Sequence, residues 1–255
     1  MNSEAAPPVD LFLRSAALLL LTMSTAFASD TRIAVAANFT DVARKLAPLF
    51  EEQSGHEVTI SYGSTGKLYA QIEHGAPYDL FLAADTTRPA RAEKEGLAIP
   101  GSGFVYAKGK LVLWSADKGR FSEGTDYLKN GISRHLAIAN PKTAPYGAAA
   151  RQVMQKLGLW PSLQRKLVKG DSIAQTFQFV ATENAEAGFV AYSQVKGWLG
   201  EPGTLWNIPS EYYSPIEQGV VLLKRGKDNP AALAFLEFLK SDVARELIKK
   251  HGYDT

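Results

Sequence analysis

A chain of 255 residues, 45% hydrophobic and 21% charged, can bury a full core and is long enough for two compact lobes. Its net charge of +2, with no basic run, points away from nucleic acid and from membrane surfaces as partners. It has no cysteine, which excludes thiol catalysis, structural disulfides, zinc–thiolate sites and a lipid-modified N-terminal cysteine.

The N-terminus reads as an export signal. Arg14 precedes the apolar run 16–21, and Ala26-Phe27-Ala28 supplies a small-x-small cleavage pattern, so residues 1–28 are a predicted signal peptide and the mature chain begins near Ser29. The apolar run is too short to span a bilayer comfortably. The stretch before Arg14 is long and carries Glu4 and Asp10, which fits a true start downstream of Met1. No later stretch reaches transmembrane length, and the expected product is exported, periplasmic and soluble.

A buried strand is predicted over 31–37. Asn38-Phe39-Thr40 then opens a helix with Val42, Leu46, Leu49 and Phe50 on one face, capped by Asn38 or Thr40, bent by Pro48 and ended by Gly55. A second strand, 58–62, runs into Ser61-Tyr62-Gly63-Ser64-Thr65-Gly66-Lys67-Leu68 at the start of another helix. Small hydroxyl residues and glycines at such a joint let backbone N–H groups and two hydroxyls converge, and the helix start favours an anion. A phosphate-binding P-loop is excluded because Ser61 and Leu68 stand where it needs Gly and Ser or Thr. The nucleophile elbow fails because Tyr62 replaces its first Gly. Taken alone, the stretch is most simply a capped helix with a glycine-rich approach.

His74-Gly75-Ala76-Pro77 breaks that helix, 78–83 is a third strand, and Asp85 caps a helix over 88–95. The runs 104–106 and 111–114 read as a strand pair or as a crossing into a second lobe. There the scheme repeats. Strand 136–139 ends at Asn140-Pro141, and the loop 142–147 leads to a helix with Ala150, Val153, Met154 and Leu157 inward, stopped by Gly158. Gly170-Asp171-Ser172 caps a helix with Ile173, Phe177, Val180 and Ala181 on one face, and 187–192 is the next strand. The segments 200–209 and 211–218 carry the chain back, 219–223 rejoins the first sheet, and helices 231–240 and 242–251 close it, the last capped by Asp242. The pattern is that of an α/β protein with two lobes, each a mixed sheet flanked by helices.

Four joints are rich in small polar residues: Asn38, Ser64-Thr65, Tyr146-Gly147 and Ser172-Ile173, two in each predicted lobe. In open α/β sheets ligands sit beyond the carboxyl ends of strands, where helix starts point. Two facing lobes would aim four helix starts at one small anion. No Arg or Lys lies inside three of the joints, and Lys67 follows the second at a position that can face solvent. Hydrogen bonds to charge, at roughly 1.5–3 kcal/mol each, suffice without a counter-charge.

The ordered set Ala36-Ala37-Asn38-Phe39, 63–72, 75–81, Ala84-Asp85, Asn140-Pro141, Pro145-Tyr146-Gly147 and 188–191 resembles the periplasmic molybdate-binding proteins of ABC importers, over nearly the whole mature chain. The resemblance implies a type II periplasmic-binding-protein fold with the ligand cleft between lobes, drawn here as 29–108 with 218–255 and 109–217. It implies molybdate or tungstate as ligand, held through its oxygens by Asn38, Thr65 or its neighbour Ser64, and the backbone N–H groups of Tyr146 and Ile173. Ala37 and Ser172 are further candidates. Some members add a Tyr hydroxyl where this chain has Ala191, with Tyr192 one residue on and so on the opposite face of a strand; Asn38 is then the substitute donor. A membrane permease and its ATPase are the implied partners of a monomer, with no cofactor.

Plainer readings stand beside these. Ser64, Thr65, Asn38, Asp85 and Asp171 suit helix caps, Asp41 and Asp79 suit solvated or capping roles, and His56, His74, His135 and His251 lack metal-ligand spacing and read as surface residues. Receptors for other tetrahedral oxyanions, an enzyme and a sensory domain on the same fold are the alternatives. The enzyme would need a nucleophile or acid–base pair in the cleft, which absent cysteines and scattered histidines argue against.

Overall fold

The computed structural model describes residues 28–255; the predicted signal peptide, apart from Ala28, lies outside them. In chain order the strands are β1 (Asp30–Ala36), β2 (Glu57–Gly63), β3 (Leu80–Leu82), β4 (Phe104–Gly109), β5 (Leu111–Ser115), β6 (Leu136–Ala139), β7 (Leu167–Gly170), β8 (Ala187–Ala191), β9 (Thr204–Asn207) and β10 (Ile216–Leu222). The helices are α1 (Thr40–Ser54), α2 (Thr65–Glu73), α3 (Thr87–Lys94), α4 (Gly124–Asp126), α5 (Pro145–Lys156), α6 (Trp160–Leu163), α7 (Ile173–Ala181), α8 (Tyr192–Lys196), α9 (Pro230–Phe238) and α10 (Asp242–Lys250).

They form two five-stranded sheets, β2-β1-β3-β10-β4 and β7-β6-β8-β5-β9. Within the first, β1 lies parallel between β2 and β3, while β10 is antiparallel to β3 and β4. The second has the same plan, with β6 parallel to β7 and β8 and β5 antiparallel to β8 and β9. The chain changes sheet at Lys110 and returns between Asn207 and Ile216. Ile33, Val35, Leu80 and Leu82 of the first sheet meet Val42, Leu46 and Phe50 of α1 in one core. In the second lobe Leu113, Ile138 and Phe189 meet Val153 and Met154 of α5. Apolar residues at helical spacing on α1 and in buried runs on β1 and β8 give each element one solution for its apolar face.

Several local expectations are corrected by this structure. Neither Asn38 nor Thr40 caps α1: a 3-10 turn over Ala37–Phe39 precedes it, and no side chain bonds its N-cap. The expected loop 200–209 contains β9, an edge strand too short and polar in its flanks to show a period. Gly170 ends a strand rather than opening a helix, and the cap of α10 is Ser241, whose Oγ accepts from Ala244 N at 3.2 Å. Asp79 is fully buried, accepting from Arg32 N at 2.8 Å and pairing with Arg225 at 2.5 Å. His251 is buried too. Trp114 is a core residue stacked on Phe177, as expected of a packing tryptophan.

The lobes are closed on one another. Gly66 N, in the first turn of α2, donates to Thr143 O at 2.8 Å, and Lys67 pairs with Asp171 at 2.8 Å, both across the seam. Arg88 is held by Asp85 on its own lobe and reaches Lys142 O at 3.4 Å on the other. A side chain at position 66 would put its Cβ 2.9 Å from Thr143 O and 3.0 Å from Thr143 Cα, so only glycine lets the seam close fully. Gly66→Ala should therefore hold the lobes apart. Small-angle scattering should show a larger radius of gyration than wild type when both are saturated with oxyanion.

The second lobe depends on one buried acid. Glu186 accepts from Ser133 N at 3.0 Å, from Arg134 N at 2.8 Å and from the Ser133 hydroxyl. Burial by itself would raise its carboxyl, but the Ser133 hydroxyl and the two amides outweigh it and hold the group below the usual range. A carboxyl depressed in the folded state adds stability above its unfolded value of about 4.3, and that stability is lost as pH falls through the folded value. Glu186→Gln should cost about 1–3 kcal/mol at neutral pH. In urea titrations the gap to wild type should shrink as the medium is acidified below the unfolded carboxyl value.

Candidate functional site

Sheet register assembles the candidate residues in pairs. Ala36 lies opposite Gly63 at the carboxyl ends of β1 and β2, so the turn carrying Ala37 and Asn38 sits beside Ser64 and Thr65. In the second lobe Ala139 lies opposite Gly170, and Asn140 N donates to Gly170 O at 2.8 Å, setting the loop before α5 beside the start of α7. Closure then joins the pairs. Ala36, Ala37 and Ala84 of the first lobe share a buried cluster with Ala144, Tyr146 and Ile173 of the second. Four helix starts thus meet at the carboxyl ends of parallel strands, as the fold requires.

The donors there differ in how committed they are. Ser64 occupies the N-cap position of α2, yet its side chain makes no capping bond. Its Oγ is buried with no hydrogen-bond partner, and so is Oγ1 of Thr143, the residue that meets Gly66 across the seam. Thr65, 1% exposed, accepts from Ala84 N at 3.0 Å through Oγ1, which leaves its own hydroxyl hydrogen free to donate. Thr65 N, Tyr146 N and Ile173 N belong to the first turns of α2, α5 and α7, where amides have no intrahelical acceptor. Asn38 N is in the same position in its 3-10 turn. Among the described residues none of these four amides bonds to another backbone carbonyl.

Other candidates are spoken for. The Asn38 side chain donates to Gln218 Oε1 at 2.8 Å and to Tyr253 OH at 3.0 Å, and its own carbonyl accepts from Tyr253 OH at 2.7 Å and from Ser193 Oγ at 3.3 Å. That network joins the first lobe, the return strand, the C-terminus and the second lobe, and leaves the backbone N–H as the free donor of Asn38. Ser172 Oγ caps α7, accepting from Gln175 N at 3.3 Å, and like Thr65 it keeps its own hydroxyl hydrogen to donate. Tyr192 packs with Trp198 against the far core of the second lobe, and its ring lies beside Gly252.

The site is lined by neutral groups. Burial pushes the Tyr146 phenol well above its ordinary value, with the nearby phenols of Tyr253, Tyr106 and Tyr213 adding to it. Tyr253 is pushed up to about 12, mainly by burial. Neither phenol carries charge at neutral pH. Lys67 and Arg88, two cations at the seam, are occupied by Asp171 and Asp85. Among the described residues no group of three or more His, Asp or Glu side chains could hold a bare metal ion. The arrangement is suited to a desolvated oxyanion held by dipoles and hydroxyls.

Sequence reasoning missed Thr143, Ser193, Gln218 and Tyr253. Thr143 had a signal, a hydroxyl three residues before Tyr146 in the same loop. The others come together through separations of 60 to 215 residues, which no local pattern reveals.

Residues 31–254 match the model of the bacterial extracellular solute-binding protein family. The molybdate-binding protein ModA of Rhodobacter capsulatus is 53% identical over 230 residues, covering 90% of each chain. Its counterpart from Azotobacter vinelandii is 54% identical over 227 residues, 89% of this chain and 90% of the relative. The solved periplasmic molybdate-binding protein of Azotobacter vinelandii superposes with a TM-score of 0.84 and 41% identity, over 88% of this chain and 99% of that one. These relatives are binding proteins rather than enzymes. The chain belongs to the bacterial extracellular solute-binding proteins and, within them, to the ModA family.

Proposed function

We propose that this chain is the periplasmic receptor of an ABC importer, capturing molybdate between its lobes and presenting the closed form to a membrane permease. The observation that carries the reading is the Ser64 hydroxyl: buried, at a helix cap it does not make, and beside four uncommitted helix-start amides. A buried hydroxyl without a partner costs about 1–3 kcal/mol, and an anion between the lobes removes that cost. Relatives named for molybdate binding, at 53% and 54% identity, support the choice of anion.

In this reading the hydroxyls of Ser64 and Thr65 and the amides of Asn38, Tyr146 and Ile173 hold the oxygens, with the Thr143 hydroxyl as a further donor. Asn38 acts through its backbone, since its side chain braces the hinge. Ala37 and Ser172 shape the walls beside them, and Tyr192 takes no part. The oxyanion is cargo, not a cofactor. Tungstate has nearly the same size and charge and fits the same donors, whereas sulfate is a smaller tetrahedron that cannot reach all of them together. The lobes, 29–108 with 218–255 and 109–217, turn about the two chain crossings, and the receptor acts as an exported monomer.

Ser64→Ala removes one hydrogen bond to charge, worth about 1.5–3 kcal/mol, so molybdate affinity should fall by about 10- to 150-fold with the fold intact. Titration calorimetry with a panel of oxyanions measures this directly. Equal binding of sulfate and molybdate by the wild type would overturn the reading.

A further inference from the structure

On the flank where α1 of the first lobe approaches α8 of the second lies a pocket of about 670 Å³, which shares Asp41 and Arg44 with a neighbouring pocket lined by Ala37 and Asn38. Arg44 and Lys45 line it from α1, Lys250 and His251 from the end of α10, and Lys196 from the end of α8. Asp41 is the one carboxylate among its lining residues. Four cations thus converge in a chain whose entire net charge is +2.

Among the described residues, none of these four cations is within ion-pairing distance of a carboxylate. Arg44 rests over the Tyr62 ring, 5.7 Å from its centroid. Lys45 Nζ lies 2.8 Å from His251 Nε2. The other ring nitrogen of His251 faces the Leu247 carbonyl at 2.7 Å. A carbonyl can only accept, so Nδ1 carries the proton and Nε2 takes the ammonium hydrogen. A neutral base therefore stands where a carboxylate would ordinarily neutralise Lys45. The result is a concave surface on which four cations outnumber one carboxylate, the kind that concentrates counter-ions.

We propose that this flank pocket is a second anion site, taking a compact oxyanion of two or more charges, and that its occupancy holds the lobes together. The bridging follows from ownership of the cations: Lys196 belongs to the second lobe, the other three to the first. An anion between them favours the closed form, in which the cleft is complete. By linkage, the flank anion and the cleft anion must then raise each other's affinity by the same factor. Lys45, Lys196 and Lys250 line the flank alone, so the site stands whichever anion fills the cleft.

The test is titration calorimetry on the mature chain with pyrophosphate and with citrate, each with and without saturating molybdate. Binding of either probe that persists with molybdate bound, tightens in its presence and weakens as salt is raised supports the proposal. Pyrophosphate alone binding assigns the site to phosphates, and citrate alone to polycarboxylates. The double variant Lys196→Gln/Lys250→Gln should weaken the probe by about tenfold per charge removed while molybdate affinity without the probe stays at the wild-type level, which also shows the variant is folded. Failure of both probes to bind, displacement of the probe by molybdate, or indifference to the double variant would overturn it.

Discussion

Where the lobes of this protein meet, they bury hydrogen-bond donors that the polypeptide does not satisfy by itself. With the lobes together, Ser64 Oγ and Thr143 Oγ1 are buried without partners, and the first amides of three helices and one 3-10 turn face the same region. Proteins seldom tolerate such groups in their interiors. Here they come from both sides of a seam, so the cost arises only when the halves meet and disappears when an acceptor enters between them. In the proposed function, guest capture and domain motion become a single equilibrium. The parallel pairs β1–β2 and β6–β7 matter because they deliver two helix starts each to one edge of their sheets.

Charge is arranged around this centre rather than in it. Lys67 and Arg88 stand at the seam, each matched to an aspartate. The phenols of Tyr146, Tyr106 and Tyr253 are held neutral by burial. An ammonium at the centre would attract anions of many radii with little regard for shape. Fixed dipoles reward only a guest whose oxygens reach them together, which ties selectivity to the rigidity of the surrounding cores. Gly66 serves that rigidity by admitting close approach of backbone to backbone.

The sequence was legible wherever local chemistry decides structure. Buried runs such as 187–191, the amphipathic face of α1 and the glycine stops at Gly55 and Gly158 each declare an element through its own residues, and the four helix starts were visible as small polar joints. Short edge strands were not, because β7 and β9 owe their extended form to the neighbours they pair with rather than to a period of their own. Capping was misjudged at Asn38 for a related reason. An amide side chain there suits a cap, but Gln218 and Tyr253, 180 and 215 residues away, offer it stronger partners. The same long reach hid Asp79 and His251, whose buried settings depend on residues remote in the chain.

The C-terminal residues fasten the point at which the chain crosses between its sheets. Tyr253 OH bonds to Asn38, and Ser193 Oγ to Tyr253; Asp254 exchanges two backbone hydrogen bonds with Lys108 and pairs with Lys110 at 2.8 Å. Lys110 is the residue at which the chain passes between sheets. Trimming the last three residues would therefore unfasten that crossing, although it would remove none of the proposed oxyanion donors. An affinity tag or fluorophore joined through a short linker at that end pulls on this crossing, whereas one attached ahead of exposed Asp30 loads only the outer end of β1.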